Sequence, residues 1–387
     1  MAETSTGRKL YFVVGESSGD ALGADIMEQL QVLDSDLCFA GLGGRRMEAL
    51  GLLSLFDISE ISVMGLSGIV SRLPAILSRI KQTANDVIRQ KPDMLILIDS
   101  PEFSQRVAQR VRKELPGLPV VKYVCPSVWA WRPGRARKLS AYIDHILAIL
   151  PFEPQVLSEL GGPDATYVGH PLSWRMRGER KPNPIPAKGE KTLVLLPGSR
   201  RSEVKLLLPD FEQVVAILAE RGNALRLMLP AVDHLADDIA EQVSGWAIVP
   251  EVVTGEAAKQ RAFGEAHAAL AASGTVLLEL ALNRIPMVSI YRVDWLMRNF
   301  RFLFVGWTAA LPNLIADEAI VPERVEEMVR PGWVARTLEA LLNEKDPQRV
   351  AQLEGFERMA LNMRLDEAPG KKAAQVVLDI LEQKTPA

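Results

Sequence analysis

The residues that decide the fold are Leu10–Asp20, LYFVVGESSGD: five apolar residues, a short loop of small and polar residues, and the start of a helix near Ala21. A buried strand followed directly by a glycine-containing loop and a helix is the repeating unit of parallel α/β proteins. Short apolar runs and helical patterns alternate in this way along the chain. The sequence therefore predicts an α/β fold built mainly on parallel sheet.

The same pattern predicts strands in both halves of the chain. In the first half they are Leu10–Val14, Phe39–Leu42, Met94–Ile98, Val120–Val124, Ile146–Ile149 and Thr166–Val168. In the second half they are Thr192–Leu196, Leu225–Leu229, Ile248–Val249, Ala268–Leu270 and Met287–Ile290. Apolar residues from Leu73 to Ile88 recur at helical spacing and predict a helix packed on the core.

Two domains are expected from the length of 387 residues and from a change in composition near the middle. Lys181–Lys191, KPNPIPAKGEK, is rich in proline and lysine and lacks periodicity, which is typical of a linker. Residues 1–178 would form one Rossmann-like domain, completed by C-terminal helices from about 347–387, and residues 190–345 the other. We expect the two domains to face each other across a cleft.

Composition and charge exclude several classes of protein. Hydrophobic residues make up 48% and charged residues 24%, which indicates a globular rather than a disordered chain. The net charge of -3 gives no basis for general affinity for nucleic acid. Cys38 and Cys125 are far apart and indicate reduced thiols. No apolar stretch approaches the roughly 20 residues needed to cross a bilayer, so we expect a soluble or surface-bound protein.

Two loops of the first half follow predicted strands, at the sheet edge where open parallel sheets bind ligands. The loop Gly15–Asp20 contains Ser17 and Ser18 and leads into a helix start, which favours an anion. Asp99 follows a very apolar strand, and a carboxylate there is suited to act as a general base. Purely structural roles stay open for both loops: a turn with Asp20 as cap, and a helix N-cap at Asp99.

The segment Pro126–Arg132, PSVWAWR, places two tryptophans beside a basic cluster just after a strand. Its Ser127, Trp129, Trp131 and Arg132 would together suit a phosphorylated apolar molecule. The alternative is a solvated basic face over a turn packed by tryptophan. The net charge argues against nucleic acid as the ligand.

Two loops of the second half also follow strands and open helices. Leu196–Glu203, LPGSRRSE, places an arginine where it can meet a pyrophosphate, assisted by helix-start N–H groups. Ala272–Thr275, ASGT, is a second small-residue loop, with a glutamate about one turn further on that suits a ribose diol. The candidate residues are Gly198, Ser199, Arg200, Ser273, Gly274, Thr275 and Glu279. The G-K-[ST] ending of a P-loop is missing, but the two loops together predict a nucleotide site.

No metal and no other cofactor is predicted. Asp34–Asp36 matches the D-x-D pattern that holds a divalent ion in many sugar transferases, but it precedes a strand and is interpreted as a turn. The four histidines lack the spacing of metal ligands.

Two apolar segments are candidates for contact with a lipid surface. Ile61–Val70 is apolar and contains glycines, and Trp295–Phe304 interleaves aromatic residues with arginines as interfacial helices do. The candidate contact residues are Val63, Met64, Leu66, Ile69, Val70, Trp295, Phe300 and Phe302. Burial in the core is the alternative for both segments.

These motifs, in their order along the chain, resemble those of the lipid-A-disaccharide synthases of Gram-negative bacteria. The similar blocks span nearly the whole chain, and PSVWAWR is the most distinctive. They are GESSGD (Gly15–Asp20), VMG (Val63–Gly65), KPD and IDSPEF (within Lys91–Phe103), PSVWAWR (Pro126–Arg132), LPFE (Leu150–Glu153), GHP (Gly169–Pro171), LPGSRRSEV (Leu196–Val204), ASGT (Ala272–Thr275), PMV (Pro286–Val288), YR (Tyr291–Arg292) and LPN (Leu311–Asn313).

The resemblance implies a GT-B fold and an inverting, metal-independent sugar transfer. The donor would be UDP-2,3-diacylglucosamine and the acceptor 2,3-diacylglucosamine 1-phosphate (lipid X). The products would be the β-1,6-linked lipid A disaccharide 1-phosphate and UDP. The first domain would bind the acceptor lipid and the second the UDP-sugar. The protein would work in the cytoplasm, on the inner-membrane surface, and a second copy of the chain, as a homodimer, is a further candidate partner.

The resemblance also implies roles for single residues. Asp99 matches the family's essential aspartate. Positions around the UDP are matched by Arg200, Ser273, Gly274, Thr275, Glu279 and Asn313. Where the family usually shows D-x-P-D-F-N, this chain has Glu102 and Ser104 at the fourth and sixth positions, which leaves the roles of these two residues open.

Two other functions are kept as alternatives. Another GT-B enzyme, such as a UDP-sugar epimerase or a different glycosyltransferase, would turn over a UDP-sugar without acyl chains. A membrane-bound nucleotide-sugar sensor would bind UDP and form no product.

Overall fold

A computed structural model describes residues 7–61, 66–178, 181–186, 189–292 and 306–383, and for 66–72 it gives the helix without the side chains. The chain forms two compact units. One consists of Met1–Trp174 and Leu365–Ala387, and the other of Arg175–Arg364. The chain thus enters the second unit once and returns to the first near its end.

Six parallel strands form the sheet of the first unit. They are β1 (Lys9–Val14), β2 (Cys38–Leu42), β3 (Met94–Ile98), β4 (Val120–Tyr123), β5 (His145–Ala148) and β6 (Asp164–Tyr167), in the order β2-β1-β3-β4-β5-β6. The helices are α1 (Ser17–Leu33), α2 (Arg45–Glu48), α3 (Leu66–Gln90), α4 (Pro101–Glu114), α5 (Arg135–Leu139), α6 (Glu153–Glu159) and, at the unit boundary, α7 (Pro171–Arg175). The strands predicted for the first half are confirmed.

Helices cover both faces of this sheet, which is why its central strands β1 and β3 are almost continuously apolar. Alternate side chains of β1 point to opposite faces, so Tyr11 and Val13 pack with α3 and α4 while Leu10 and Phe12 pack with α1. The predicted helix over Leu73–Ile88 is confirmed as part of α3. The row of apolar residues along α3 is less buried than expected, because Leu73 and Leu77 near the start of the helix are exposed.

The second unit repeats this plan with a different strand order. Its strands are β7 (Lys191–Leu196), β8 (Leu225–Ala231), β9 (Glu251–Thr254), β10 (Ala268–Ala272), β11 (Met287–Tyr291) and β12 (Glu323–Val325), in the order β12-β11-β10-β7-β8-β9. Its helices are α8 (Arg201–Glu220), α9 (Ala236–Val243), α10 (Glu256–Glu265), α11 (Thr275–Leu282), α12 (Leu311–Ala316), α13 (Pro331–Leu341) and α14 (Pro347–Asn362). Two parallel sheets with flanking helices confirm the predicted α/β class.

Two strands differ from the prediction. Strand β9 begins at Glu251, so the prediction of a strand at Ile248–Val249 is wrong. Pro250 has no N–H for a ladder hydrogen bond, and Val249 is exposed, so pairing with β8 starts only after the proline. Strand β12 was not predicted, because three residues beside charged neighbours carry little apolar pattern.

Helix α14 belongs to the second unit, although the return to the first domain was expected at about 347. Buried Gln352 ties this helix to β11, accepting from Met287 N–H at 2.7 Å and donating to Met287 O and Ile320 O at 3.0 Å each. Buried Arg349 donates to His267 O at 2.7 Å. Because these polar side chains are buried, water cannot replace their hydrogen-bond partners. The hydrogen bonds therefore hold α14 to the second sheet.

The segment expected to be a linker is not where the chain changes unit. Its residues 181–186 pack within the second unit, where Asn183 Nδ2 donates to Ala266 O at 2.8 Å and Ile185 is buried, and Lys191 at its end already begins β7. The change of unit occurs at Trp174–Arg175 instead.

The last helix, α15 (Pro369–Gln383), belongs to the first unit. Ala373, Ala374 and Val377 share a core cluster with Ile26 of α1. Its Gly370 allows close packing, because a Cβ at this position would come 2.4 Å from Asp25 Oδ2.

Candidate functional site

The strand order of the first sheet reverses direction at β1, which has β2 on one side and β3 on the other. Open parallel sheets bind ligands at such a point, beyond the carboxyl ends of the two strands. The loop Gly15–Asp20 follows β1 and Asp99 follows β3. A Cβ built at Gly15 would come 2.4 Å from Ser100 Oγ, so the two predicted loops are in direct contact.

Asp99 lies in an unusual turn. Both Asp99 and Ser100 have left-handed backbones, with φ of 50° and 42°, which non-glycine residues rarely adopt. The carboxylate accepts from Ser100 N–H at 2.9 Å through Oδ1, and Ser18 Oγ lies 3.4 Å from Oδ2. Helix α4 has Ser100, not Asp99, at its N-cap position. The structural alternative for Asp99 is therefore wrong, and its half-buried carboxylate faces the Gly15–Asp20 loop.

Ser17 and Ser18 begin α1 and are exposed at this edge. Asp20 does not cap its own helix, α1, because its carboxylate bonds to the start of α2. It is buried and accepts from the N–H groups of Gly44 at 2.9 Å and Met47 at 3.2 Å, at the start of α2. Asp20 therefore links the loop to a neighbouring helix and is not available to a ligand.

The PSVWAWR segment forms a turn in which Ser127 O accepts from Trp131 N–H at 3.0 Å. Trp129 points its polar edge inward: Nε1 donates to Glu153 Oε1 at 3.2 Å, and its ring packs edge-on against Phe152. Ser127 and Arg132 are exposed. Trp129 thus anchors the turn, as in the structural alternative, while Ser127 and Arg132 are accessible to a ligand.

Glu153 is a buried carboxylate behind the PSVWAWR turn that was not predicted from the sequence, although its block LPFE was among the resembling motifs. It is buried and accepts from the N–H groups of Ile149 at 3.1 Å and Leu150 at 3.0 Å in addition to Trp129. Burial raises the pKa of Glu153 to about 7, and the three hydrogen bonds oppose this rise. Glu153 joins the loop after β5 to the PSVWAWR turn.

In the second unit, the strand order reverses at β7, which has β8 on one side and β10 on the other. The strands pair in parallel, Ala271 opposite Leu196, so the loops after β7 and β10 leave the same edge. These are the two loops predicted to bind a nucleotide. The tertiary structure therefore brings Arg200 and Ser273 to neighbouring positions at a switch point of the sheet.

Glu203 occupies the helix start that was expected to hold a phosphate. Its Oε2 accepts from Ser199 N–H and Arg200 N–H at 3.3 Å each, and its Oε1 accepts from Arg200 Nη1 at 2.9 Å. Gly198, with φ of 111°, leaves room for this carboxylate, because a Cβ there would come 2.7 Å from Glu203 Oε2. Arg200 itself is largely exposed.

The second loop, Ser273 to Thr275, leads into α11, and Gly274 and Thr275 are exposed. Ser273 Oγ donates to Ala309 O at 3.1 Å. Glu279 has two partners that were not predicted from the sequence. Lys259 Nζ lies 2.9 Å from Glu279 Oε1, and Gln260 Nε2 donates to the same carboxylate at 3.2 Å. A ribose diol at Glu279 would have to share the carboxylate with α10.

Asn313 does not present its side chain to solvent. It is buried, its Nδ2 donates to Thr308 Oγ1 and Val321 O at 3.1 Å each, and its Oδ1 accepts from Val321 N–H at 2.7 Å. The Asn313 side chain thus ties together the chain on either side of α12, and its place among the positions around the UDP stays a prediction.

The remaining sequence features are the D-x-D motif, candidate metal ligands and candidate membrane spans. Asp34 accepts from Asp36 N–H at 3.0 Å, so the D-x-D motif is a turn, as predicted. Within the described residues, no group of three or more His, Cys, Asp or Glu is arranged to bind a metal ion. Among the described helices, none is long and apolar enough to span a bilayer.

The residues proposed to contact a membrane lie largely outside the described part of the chain. Val63, Met64, Trp295, Phe300 and Phe302 fall in the gaps at 62–65 and 293–305. For the other three, Leu66, Ile69 and Val70, the structure describes the helix α3 but not the side chains.

Solved structures with the same fold define the class of this chain. UDP-GlcNAc 2-epimerase from Neisseria meningitidis, bound to UDP-GlcNAc, superposes with a TM-score of 0.61 at 12% identity, covering 97% of this chain and 100% of that one. CalG4, the calicheamicin glycosyltransferase, gives a TM-score of 0.58 at 14% identity, covering 98% and 100%. With its two Rossmann-like parallel sheets, the chain has a GT-B fold.

The family is defined by sequence. A family model described as lipid-A-disaccharide synthetase matches residues 10–376. The lipid-A-disaccharide synthase of Rhodopseudomonas palustris (strain HaA2) is 43% identical over 394 residues, covering 99% of this chain and 98% of the relative. The chain belongs to the lipid-A-disaccharide synthetase family, as its motifs had indicated.

Proposed function

We propose that this chain catalyses the reaction for which its family is named, the joining of two acylated glucosamines. The donor is UDP-2,3-diacylglucosamine and the acceptor 2,3-diacylglucosamine 1-phosphate. The products are the β-1,6-linked disaccharide 1-phosphate and UDP. Family membership over nearly the whole chain supports this reaction over that of an epimerase, whose resemblance is one of fold alone.

Asp99 is the proposed general base. The acceptor 6-hydroxyl oxygen forms a bond to the donor anomeric carbon, the bond from that carbon to UDP breaks with its electron pair leaving on UDP, and Asp99 takes the hydroxyl proton. The observation that carries this role is the position of Asp99: a half-buried carboxylate in a left-handed turn at the switch point of the first sheet. Ser17, Ser18, Ser127, Trp131 and Arg132 are proposed to bind the acceptor.

UDP is proposed to bind at the switch point of the second sheet. Arg200 and the N–H groups at the start of α11 would stabilise the charge that grows on the leaving diphosphate. A diphosphate near Ser199 would compete with the Glu203 carboxylate for the same amides. Glu279, oriented by Lys259 and Gln260, would bind the ribose, and Asn313 would keep the α12 region in place.

The place of action is also a proposal. Two acylated substrates require a lipid–water interface, and the aromatic and basic segment Trp295–Phe304 has the composition of an interfacial helix. We propose peripheral binding to the cytoplasmic face of the inner membrane. A homodimer is a further proposal, tested by light scattering in detergent.

The function is tested by incubating the purified chain with both substrates in detergent and measuring UDP released and disaccharide formed. We expect Asp99→Asn to lower kcat by about a hundredfold or more. Asp93→Asn, at the opposite end of β3, is the matched control and should keep wild-type activity. Full activity of Asp99→Asn would exclude the mechanism. Turnover of a non-acylated UDP-sugar, by epimerisation or by sugar transfer, without turnover of the acylated substrates would favour the rival enzyme class.

A further inference from the structure

A buried lysine lies directly beneath the Asp99 turn. Lys122 is in β4, opposite Leu97 of β3, and only 1% of its surface is exposed. Its Nζ donates to the backbone oxygen of Asp99 and to Ser104 Oγ, the latter at 3.2 Å. The lysine thus bridges the end of β3 and the first turn of α4.

The Asp99–Ser100 turn is held by Ser104, which Lys122 contacts, and by a backbone hydrogen bond to β4. Ser104 Oγ lies 2.9 Å from both Asp99 O and Ser100 O and can donate to either of them. Asp99 N–H donates to Tyr123 O at 3.2 Å. The two consecutive left-handed residues therefore have a polar support below them, and such a backbone persists only where the surroundings impose it.

The fold alone gives no reason for a lysine at this position. In the described part of the chain, no carboxylate oxygen lies within 4.0 Å of Lys122 Nζ. The charged or titratable groups that act on it from the surrounding elements are Asp99, Cys125 and Glu16, and burial lowers the pKa of Lys122 to about 8. A buried ammonium without an ion pair is costly, and an apolar residue would be cheaper in a central strand. Such exceptions are expected at functional sites.

We propose that Lys122 is a positioning residue for catalysis, which holds the Asp99 turn through the Asp99 carbonyl and Ser104 so that the Asp99 carboxylate points at the switch point. The proposal rests on the proposed function of Asp99. It also assigns a role to Ser104, which stands where the family usually has asparagine. Lys122 touches no reacting atom and acts only through Asp99.

The test is Lys122→Met, which keeps the length of the side chain and removes its donors. We expect kcat to fall at least tenfold, with little change in the acceptor KM or in the Kd for UDP, because the Lys122 ammonium donates to Asp99 O and Ser104 and to none of the proposed binding residues. Lys113→Met, an exposed lysine of α4, is the matched control and should be unaffected. Circular dichroism and the melting temperature establish that each variant is folded.

A folded Lys122→Met enzyme with wild-type kcat would overturn the proposal. If that variant does not fold, Ser104→Ala decides: we expect a threefold or larger loss of kcat, and an unchanged kcat would overturn the proposal. Asp99→Asn is measured alongside. If Asp99→Asn is active, the proposed role of Asp99 as general base fails; if it is inactive while Lys122→Met is normal, only the positioning role of Lys122 fails.

Discussion

At the scale of single residues, Glu203 occupies donors of the loop that is proposed to bind UDP. Its carboxylate binds the amides of Ser199 and Arg200 and the Arg200 side chain, which are the groups proposed to meet a diphosphate. A carboxylate at this place stabilises the helix start in the absence of ligand and repels an anion that arrives there.

Replacing Glu203 by glutamine should therefore strengthen UDP binding. We expect a roughly two- to tenfold lower Kd by calorimetry, because the negative charge is lost while an oxygen acceptor is kept. Glu212→Gln, exposed further along α8, should not change the Kd. Weaker binding by Glu203→Gln would mean that the carboxylate assists the nucleotide rather than competing with it.

Glu153 should make the stability of the protein depend on pH. Its pKa is raised from 4.5 in the unfolded chain to about 7, so between these values the folded state binds more protons and stability falls as pH rises. The full effect is about 3 kcal/mol on this shift. Between pH 5 and 7.5, which covers most but not all of this range, we expect wild type to lose about 2 kcal/mol more unfolding free energy than Glu153→Gln, as measured by urea titration. Parallel losses in both proteins would contradict the assignment.

At the scale of elements, the contact between the loops after β1 and β3 depends on a glycine. A methyl group at Gly15 would overlap Ser100, so Gly15→Ala must push the Asp99 turn away from the serine loop. We expect at least a tenfold loss of kcat with an unchanged Kd for UDP. Gly117→Ala, where a Cβ would meet nothing within 4 Å, is the control. Normal kcat in Gly15→Ala would show that the turn tolerates displacement.

Helix α14 is fixed to the second sheet by Gln352. Gln352→Leu would leave buried groups at Met287 and Ile320 without partners, and we expect a loss of about 3 kcal/mol in unfolding free energy. Gln348→Leu, exposed on the same helix, should change stability by less than about 0.5 kcal/mol. Similar effects of the two changes would contradict this account of why α14 belongs to the second unit.

At the scale of the whole molecule, the two units are proposed to bind different substrates. Hydrogen exchange followed by mass spectrometry should show that UDP protects the segments around Ser199–Glu203 and Ser273–Glu279 and leaves those around Gly15–Asp20 and Asp99–Ser104 unchanged. A UDP concentration of 100 times the Kd should stabilise its unit by about 2.7 kcal/mol. Protection confined to the first unit would reverse the assignment of the two units.

Local patterns in the sequence were sufficient to predict most of the strands and the loops that follow them. Apolar periodicity and the small or polar residues that follow each strand are local signals, so the strands of the first sheet and the motifs after β1, β3, β7 and β10 were predictable. Pro250, which moved the start of β9, and the short β12 show where a local apolar pattern is too weak to place a strand.

Which loops lie next to each other, and which polar groups already have hydrogen-bond partners, follows only from the packed fold. Strand order places the Asp99 loop beside Gly15 and the Arg200 loop beside Ser273, and no local pattern encodes that order. Buried Lys122, Gln352 and Asn313 make their hydrogen bonds to residues distant in sequence or in other elements. Because burial removes water as an alternative partner, the pairing of such groups follows from the packed fold and not from the residues alone.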